Sequence, residues 1–427
     1  MALSLLFVFF LSVLIGIPIA FCLGITGLVG LWQGGAVTFQ LVPQRIFTGL
    51  DIFPLMAIPL FILAGELMDA GGITRRLVNF SNLLVGHLRG GLAHTTIVAS
   101  MFLSGISGAG VADAAALGSI LIPAMEKEGY KTEMAAAVVA SASVNGPIIP
   151  PSITMVVYAC TVGVSVGGMF AAGFIPGVLL GLGLMVVVYI LARRSSLAYR
   201  KQRAGIGQIL RGSWEAVLAL VMPLIILGGI LSGIFTATEA AAVAVFYAFV
   251  VGILIYRQIR WDQLRQIIIN SGITTSIILF IIATANILAW VLASQRVPQH
   301  LSAFFLSLGT NPYFVLFMVN VFLFIVGMFM ETGAAVILLA PILHPALVSL
   351  GLHPLHVGLV FVLNLSIGLI TPPVGVCLFV ACTIARISIE TLTKAILPFL
   401  LIEVVVLMIV SFLPEIVLII PRLFGYA

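Results

Sequence analysis

Asn145-Gly146-Pro147-Ile148-Ile149-Pro150-Pro151-Ser152 and Gly368-Leu369-Ile370-Thr371-Pro372-Pro373-Val374-Gly375 stand in opposite halves of the chain and look like versions of one another. Each interrupts a hydrophobic stretch that would otherwise read as one membrane helix. Proline inside a helix removes a backbone donor and clashes with the preceding turn, so both helices must break here. Irregular backbone at membrane depth is tolerated only where protein buries it or a watery cavity meets it. Paired interruptions at corresponding places in two halves are the best sequence pointer to a transporter-type binding site.

The surrounding chain supports a membrane setting. Of 427 residues, 62% are hydrophobic and only 8% charged, against about 25% charged in a soluble domain. Long apolar runs without strict alternation predict a polytopic all-α membrane protein rather than an outer-membrane barrel. The formal charge of +5 does not predict nucleic-acid binding, because the basic residues fall between apolar runs instead of forming a soluble patch. No GxxxxGK[ST] occurs, so ATP is not expected to power the chain directly. Cys22, Cys160, Cys377 and Cys382 lie in apolar segments and read as small buried packing groups. His353-x-x-His356 flanks Pro354 and supplies too few ligands for zinc. The apolar run 3–22 lacks a basic region before it, so Ala20-Phe21-Cys22 reads as retained helix rather than a cleavage site.

Full spans are expected at 3–22, 52–68, 133–160, 170–192, 214–234, 238–255, 273–293, 356–386 and 394–420, with 133–160 and 356–386 broken. Segments 91–127 and 312–350 are too long for one span and have Gly-rich or polar midpoints, Ser104-Gly105-Ile106-Ser107-Gly108-Ala109-Gly110 and Gly327-Met328-Phe329-Met330-Glu331-Thr332-Gly333. Both read as re-entrant helical hairpins with tips at the midplane; the alternative is two ordinary spans and a loop. Segments 73–89, 256–270 and 296–307 read as surface helices. Segment 24–49 holds either a short span or interfacial helices.

Charge gives this scheme a direction. With the basic loop 193–213 placed in the cytoplasm, counting spans puts 16 of the 19 Lys and Arg inside and leaves Arg45, Arg296 and Arg422 outside. The N-terminus then lies in the cytoplasm and the C-terminus in the periplasm. The first hairpin enters from the cytoplasm and the second from outside. The halves, 1–192 and 214–427, are therefore expected to be inverted repeats joined by the 193–213 linker.

A broken helix exposes unpaired carbonyls on one half and unpaired N–H groups on the other. Carbonyls suit a bare cation such as Na+, and a positive helix end suits an anion. Ser104, Ser107, Asn145, Thr332 and Thr371 add oxygen atoms, which favour hard ions over transition metals. Two pseudo-symmetric cation sites flanking one anion cavity, near Asn145 and Thr371, follow. The plainer alternative is that Gly and Ser only allow close helix packing. Glu331 at the second tip reads as an ion- or proton-linked acid or as a residue facing water. Asp113 reads as a helix-start residue or an ion ligand. Glu239 after Thr236 reads as capping, Glu66 and Asp69 as ion-pair partners of Arg75 and Arg76, and Glu403 has no nameable partner. Gly105-Ile106-Ser107-Gly108 also matches the GxSG of intramembrane serine proteases, which would need His94 or His344 as base.

At these tips and breaks the chain resembles, over essentially its whole length, the large membrane subunit of TRAP (tripartite ATP-independent periplasmic) transporters of the dicarboxylate and sialic-acid type. The resemblance implies a fold similar to the superfamily of divalent-anion/Na+ symporters, moving by an elevator mechanism. It implies an inner-membrane, Na+-coupled importer of organic acids and no enzyme. A small four-helix membrane subunit, expected as a separate chain, and a periplasmic substrate-binding protein would be its partners. By carry-over, Na+ ligands come from Ser104, Gly105, Ser107, Asn145 and Gly146, and from Gly327, Thr332, Gly333, Gly368 and Thr371, many through backbone carbonyls. Substrate contacts are expected at Asn145, Pro147, Ser152, Thr371 and Pro372. A stand-alone divalent-anion symporter and a passive channel are the competing readings.

Overall fold

The computed structural model describes residues 2–34, 40–194, 203–297, 299–300 and 311–427. Its described residues are helical, with no strand among them. Among the described residues, seven helices are long and apolar enough to cross a membrane.

The N-terminal part differs from the expected 3–22 span. It forms two short helices, α1 (Ala2–Leu14) and α2 (Ile19–Gln33), which pack on each other. Gly16 takes a positive φ of 85° and Pro18 caps α2, so the chain turns between them. At 1.5 Å per residue neither helix reaches the roughly 30 Å of a hydrocarbon core. A single span therefore does not carry the chain from its N-terminus to residue 22. The ambiguous 24–49 stretch completes α2 and then forms α3 (Leu41–Leu50).

A short 3-10 turn, Phe53–Met56, leads into α4 (Ala57–Ala70), followed by α5 (Ile73–Val85). The segment 91–127 folds into two arms, α6 (Gly91–Ser107) and α7 (Gly110–Lys127), which pack on each other. Gly108, at φ +61°, makes the reversal, a conformation that a side chain resists. The broken helix is α8 (Thr132–Ser143) and α9 (Ile153–Val162), and α10 (Val166–Arg194) follows. Residues 195–202 of the basic linker lie outside the described residues.

Next come α11 (Ile206–Leu231) and α12 (Ala237–Phe249), which ends in a wider π turn, Val250–Ile255. Thr236 and Glu239 form the capping box of α12. The 256–270 segment is not a separate surface helix. It merges with the following span into α13 (Trp261–Ser294), 34 residues long, because an isolated Gly272 does not stop a helix. The expected surface helix at 296–307 falls largely outside the described residues.

The second hairpin comprises α14 (Pro312–Gly327) and α15 (Thr332–Ser349); the second broken helix comprises α16 (Pro354–Gly368) and α17 (Val376–Ala385). Then α18 (Ile389–Phe412) ends before Pro414, and α19 (Pro414–Leu423) is a separate helix, so the expected 394–420 span is shorter at its end. Pro414 stands at the first helical position of α19, where its missing N–H would be unpaired anyway and its fixed φ suits a helix start.

The same order, hairpin then broken helix then long helix, thus occurs twice. The two sets interlock: α7 packs on α8 and also on α17, while α15 packs on α16 and also on α9. Around them, α2 and α3 pack on α13, and α12 on α4.

Candidate functional site

Both breaks contain a cis Pro-Pro bond, Pro150-Pro151 and Pro372-Pro373. Aligning these pairs sets the register between the halves and makes Gly146 the counterpart of Gly368.

Both glycines are points of backbone contact with a hairpin. A Cβ on Gly146 would stand 2.6 Å from the Gly110 nitrogen and 2.8 Å from the Ala109 carbonyl carbon. A Cβ on Gly368 would stand 2.5 Å from the carbonyl carbon and oxygen of Gly327. On the first tip, a Cβ on Gly110 would lie 2.8 Å from the Ser143 oxygen and 3.4 Å from Leu369 Cδ1, so the first tip touches both breaks. Gly105 faces Pro223 and the Pro150 oxygen. The sequence thus leaves out side chains where two polar backbones must approach.

At the first tip, Asp113 is fully buried in the first turn of α7, as its helix-start reading expects. It does not cap that helix. Its carboxyl group accepts from the Ser104 hydroxyl at 2.9 Å and also from the Ser107 hydroxyl. Ser104 Oγ also lies 2.7 Å from the Ser100 carbonyl, and its single proton serves only one acceptor at a time. Ser100 donates to the Ala142 carbonyl at 2.6 Å and ties the hairpin to the broken helix.

Asn145 is fully buried. Its amide donates to the Ala142 carbonyl at 3.2 Å, whereas its Oδ1 has no partner. Ser152 is also buried, donates to the Pro147 carbonyl at 2.6 Å and accepts from Met155 N at 3.2 Å as the cap of α9. Ser152 and Pro147 therefore sustain the turn of the break. A cavity of about 150 Å³ opens beside Ser107, Ala109 and Asp113 and is walled by Glu66 and Asp69 of α4 and Thr274 of α13.

At the second site, Thr332 opens α15 and donates to the Leu365 carbonyl at 3.4 Å. Thr371 is buried and donates to the Ile367 carbonyl at 2.8 Å. Pro372 is half-buried beside it. Glu331 is exposed and caps α15 by accepting from Ala334 N at 3.0 Å, with Gly333 against its carboxyl group. Two residues outside the expected set hold this site in place. Asn364 donates to Asn320 at 2.9 Å, and Asn320 donates to Ser411 Oγ at 2.9 Å, linking α16, α14 and α18. An amide inside an otherwise apolar helix is the signal that would have found them.

Other expectations resolve on geometry. Ser107 serves Asp113, and His344 meets the Tyr158 hydroxyl at 2.6 Å. His94 lies on the same helix as Ser107, thirteen residues earlier, which is about 20 Å of rise. The GxSG serine is thus engaged with Asp113, and neither His94 nor His344 is placed to act as its base. His353 accepts from Leu355 N and His356 meets the Val410 carbonyl, so the two rings serve different partners. Asp69 takes the Thr74 hydroxyl at 2.6 Å and Arg76 stacks 3.6 Å over the Tyr256 ring, in place of the expected ion pairs.

The chain matches the tripartite ATP-independent periplasmic transporter, DctM component, over residues 6–416. It is 41% identical over 403 residues to the C4-dicarboxylate TRAP transporter large permease protein DctM of Pseudomonas aeruginosa, covering 94% of each chain. It is 36% identical over 412 residues to the sialic acid TRAP transporter large permease protein SiaM of Vibrio cholerae, covering 96% of each. It is 40% identical over 408 residues to the isethionate TRAP transporter permease protein DctMQ of Oleidesulfovibrio alaskensis, covering 96% of this chain and 64% of that protein. The fold is similar to the Alcanivorax borkumensis YdaH transporter, with a TM-score of 0.65 at 14% identity, covering 88% of this chain and 87% of that one. These are permeases rather than enzymes, and the match is nearly full-length. The protein belongs to the DctM component family of tripartite ATP-independent periplasmic transporters, as a multi-pass membrane permease subunit.

Proposed function

We propose that this chain is the large membrane subunit of a Na+-coupled importer of organic acid anions, of the C4-dicarboxylate or sialic-acid type. It sits in the bacterial inner membrane with the basic side inward, works with a small membrane subunit, and receives its cargo from a periplasmic binding protein. The halves 1–192 and 214–427 act as inverted repeats.

One observation carries the coupling. At both breaks a glycine brings hairpin and helix backbones together, and at the first break the buried Asn145 Oδ1 points its lone pairs at no protein donor. A buried acceptor without a donor is costly, and a hard cation is the species that such an oxygen satisfies. Ser104, Gly105, Ser107 and Gly146 would complete the first Na+ site. Gly327, Thr332, Gly333, Gly368 and Thr371 would complete the second. Asp113 would contribute charge to the first site through its two serines, and Glu331 would order the second tip as a cap. The anion would lie between, near Asn145, Thr371 and Pro372.

The interlocked arms suit an elevator motion, since α7 with α17 and α15 with α9 would move as one body. Each Na+ entering gains about 2.3 kcal/mol per 100 mV of membrane potential. The test is uptake of succinate and of sialic acid in proteoliposomes containing this chain, the small subunit and the binding protein. Uptake should require an inward Na+ gradient. Equal uptake without the gradient refutes the coupling, uptake by this chain alone favours a stand-alone symporter, and non-saturating conductance favours a channel.

A further inference from the structure

Glu403 stands at the centre of α18, a helix otherwise apolar along its middle, and its side chain is fully buried. Neither carboxyl oxygen has a hydrogen-bond partner. The helices packed against α18 offer no neutralising charge. No Lys or Arg occurs within α8, α14, α16 or α17. On α10, Gly183 faces Ile402 and Val406, which fixes the level of Glu403. Arg193 lies ten residues beyond Gly183, about 15 Å along the helix, over the Tyr189 ring. On α19, Arg422 is paired with Glu415. On α18 itself, Lys394 is nine residues away, about 13 Å.

The titratable neighbours do not solve the problem either. His356 of α16 is committed to the Val410 carbonyl, about 10 Å further along α18. Glu133 of α8 is another acid, at that helix's first turn. The Cys377 thiol of α17 is buried beside Ser143 at the end of α8 and makes no hydrogen bond to Glu403. A carboxylate in this place would be a buried charge without a counter-ion, which proteins avoid by keeping the group neutral. A merely structural acid would have a donor or acceptor built for it, and a leucine or methionine would fill the space without a polar cost.

We propose that Glu403 is a proton-binding site inside the membrane, distinct from the two hairpin sites. It holds a proton in the conformation described here and exchanges it with water when the packed core moves. Carboxylic acid and carboxylate interconvert by loss and gain of that one proton, so a proton accompanies the cargo. This inference rests on the transporter reading for its second half only; the bound proton is a property of the resting chain.

Infrared spectroscopy of the purified complex in bilayers tests the resting state. At neutral pH the wild type should show a protonated-carboxyl stretch that Glu403→Gln removes. In proteoliposomes carrying a pH-sensitive dye, Na+-driven uptake of succinate or sialic acid should acidify the interior for the wild type. Glu403→Gln, which mimics the neutral acid, should keep Na+-driven uptake and lose most of the acidification. The proposal is overturned if the protonated-carboxyl band survives in Glu403→Gln or is absent from the wild type. It is equally overturned if the variant acidifies the interior as the wild type does. If neither acid enters, the transporter reading loses its support while the infrared result still decides on Glu403.

Discussion

Replacing Gly368 with alanine strikes the place where the second hairpin and the second broken helix meet. The added Cβ would stand 2.5 Å from the Gly327 carbonyl carbon and oxygen and 2.6 Å from its Cα. Ordinary contact begins at 3.4 Å, so the two backbones must part by about 0.9 Å, the difference between 3.4 and 2.5. The obstacle is backbone on both sides, with no flexible side chain to yield. Overpacking of this kind costs about 1–3 kcal/mol. If that cost falls on the closed arrangement that holds the ion, Na+ affinity drops about 5- to 150-fold, at 1.4 kcal/mol per tenfold. The assay is the Na+ concentration for half-maximal uptake in proteoliposomes, with Gly272→Ala as control. Gly272 lies in α13 and a Cβ there meets nothing within 4 Å. G368A should raise the half-maximal Na+ concentration and G272A should leave it alone. An unchanged Na+ dependence in G368A, with normal thermal stability, would refute the assignment of this junction to ion binding.

Asp113→Asn preserves size but replaces one of the two carboxyl oxygens that accept from Ser104 and Ser107 with an amide donor. Losing a buried acceptor for a serine hydroxyl costs about 1–3 kcal/mol, so the half-maximal Na+ concentration should rise about 5- to 150-fold, and an unaltered value counts against a role at the first site. Tyr158→Phe strips His344 of its buried partner across the two halves. It should lower the thermal midpoint, through a loss of about 1–3 kcal/mol, while leaving Na+ dependence unchanged; a shift in Na+ dependence with normal stability would contradict this purely structural assignment.

Much of the architecture is legible because it follows from local chemistry. Single prolines such as Pro176 and Pro398 stay inside helices, but the adjacent pairs Pro150-Pro151 and Pro372-Pro373 remove two successive donors, and the two breaks lie where those pairs stand. Gly108 accepts a positive φ, and the first tip reverses there. The missed boundaries carried the same kind of signal. Gly16 with Pro18 divides the first apolar run, and Leu413-Pro414 ends α18. Hydrophobicity averaged over a span-length window hides such points. In α13 the error had the opposite sign, since the segment 256–270, read as a separate surface helix, runs on into the following span, where the helix packs against α2, α3 and α4.

The role of an acid was beyond reach of spacing alone. Glu331 stands at one hairpin tip and Asp113 just after the other, yet one is an exposed cap and the other a buried acceptor of serine hydroxyls. Glu403 and Asn364 sit in equally apolar helices, but the Asn364 amide nitrogen meets Asn320 across a helix interface while its Oδ1 and both Glu403 oxygens have no partner. Sequence by itself determined the membrane class, the hairpins and the breaks, because these depend on water exclusion and on proline and glycine backbone limits that act within a few residues. Tertiary structure decided which tip lies on which break, which polar atoms are satisfied and which stay unpaired, because those outcomes depend on neighbours far away in the chain.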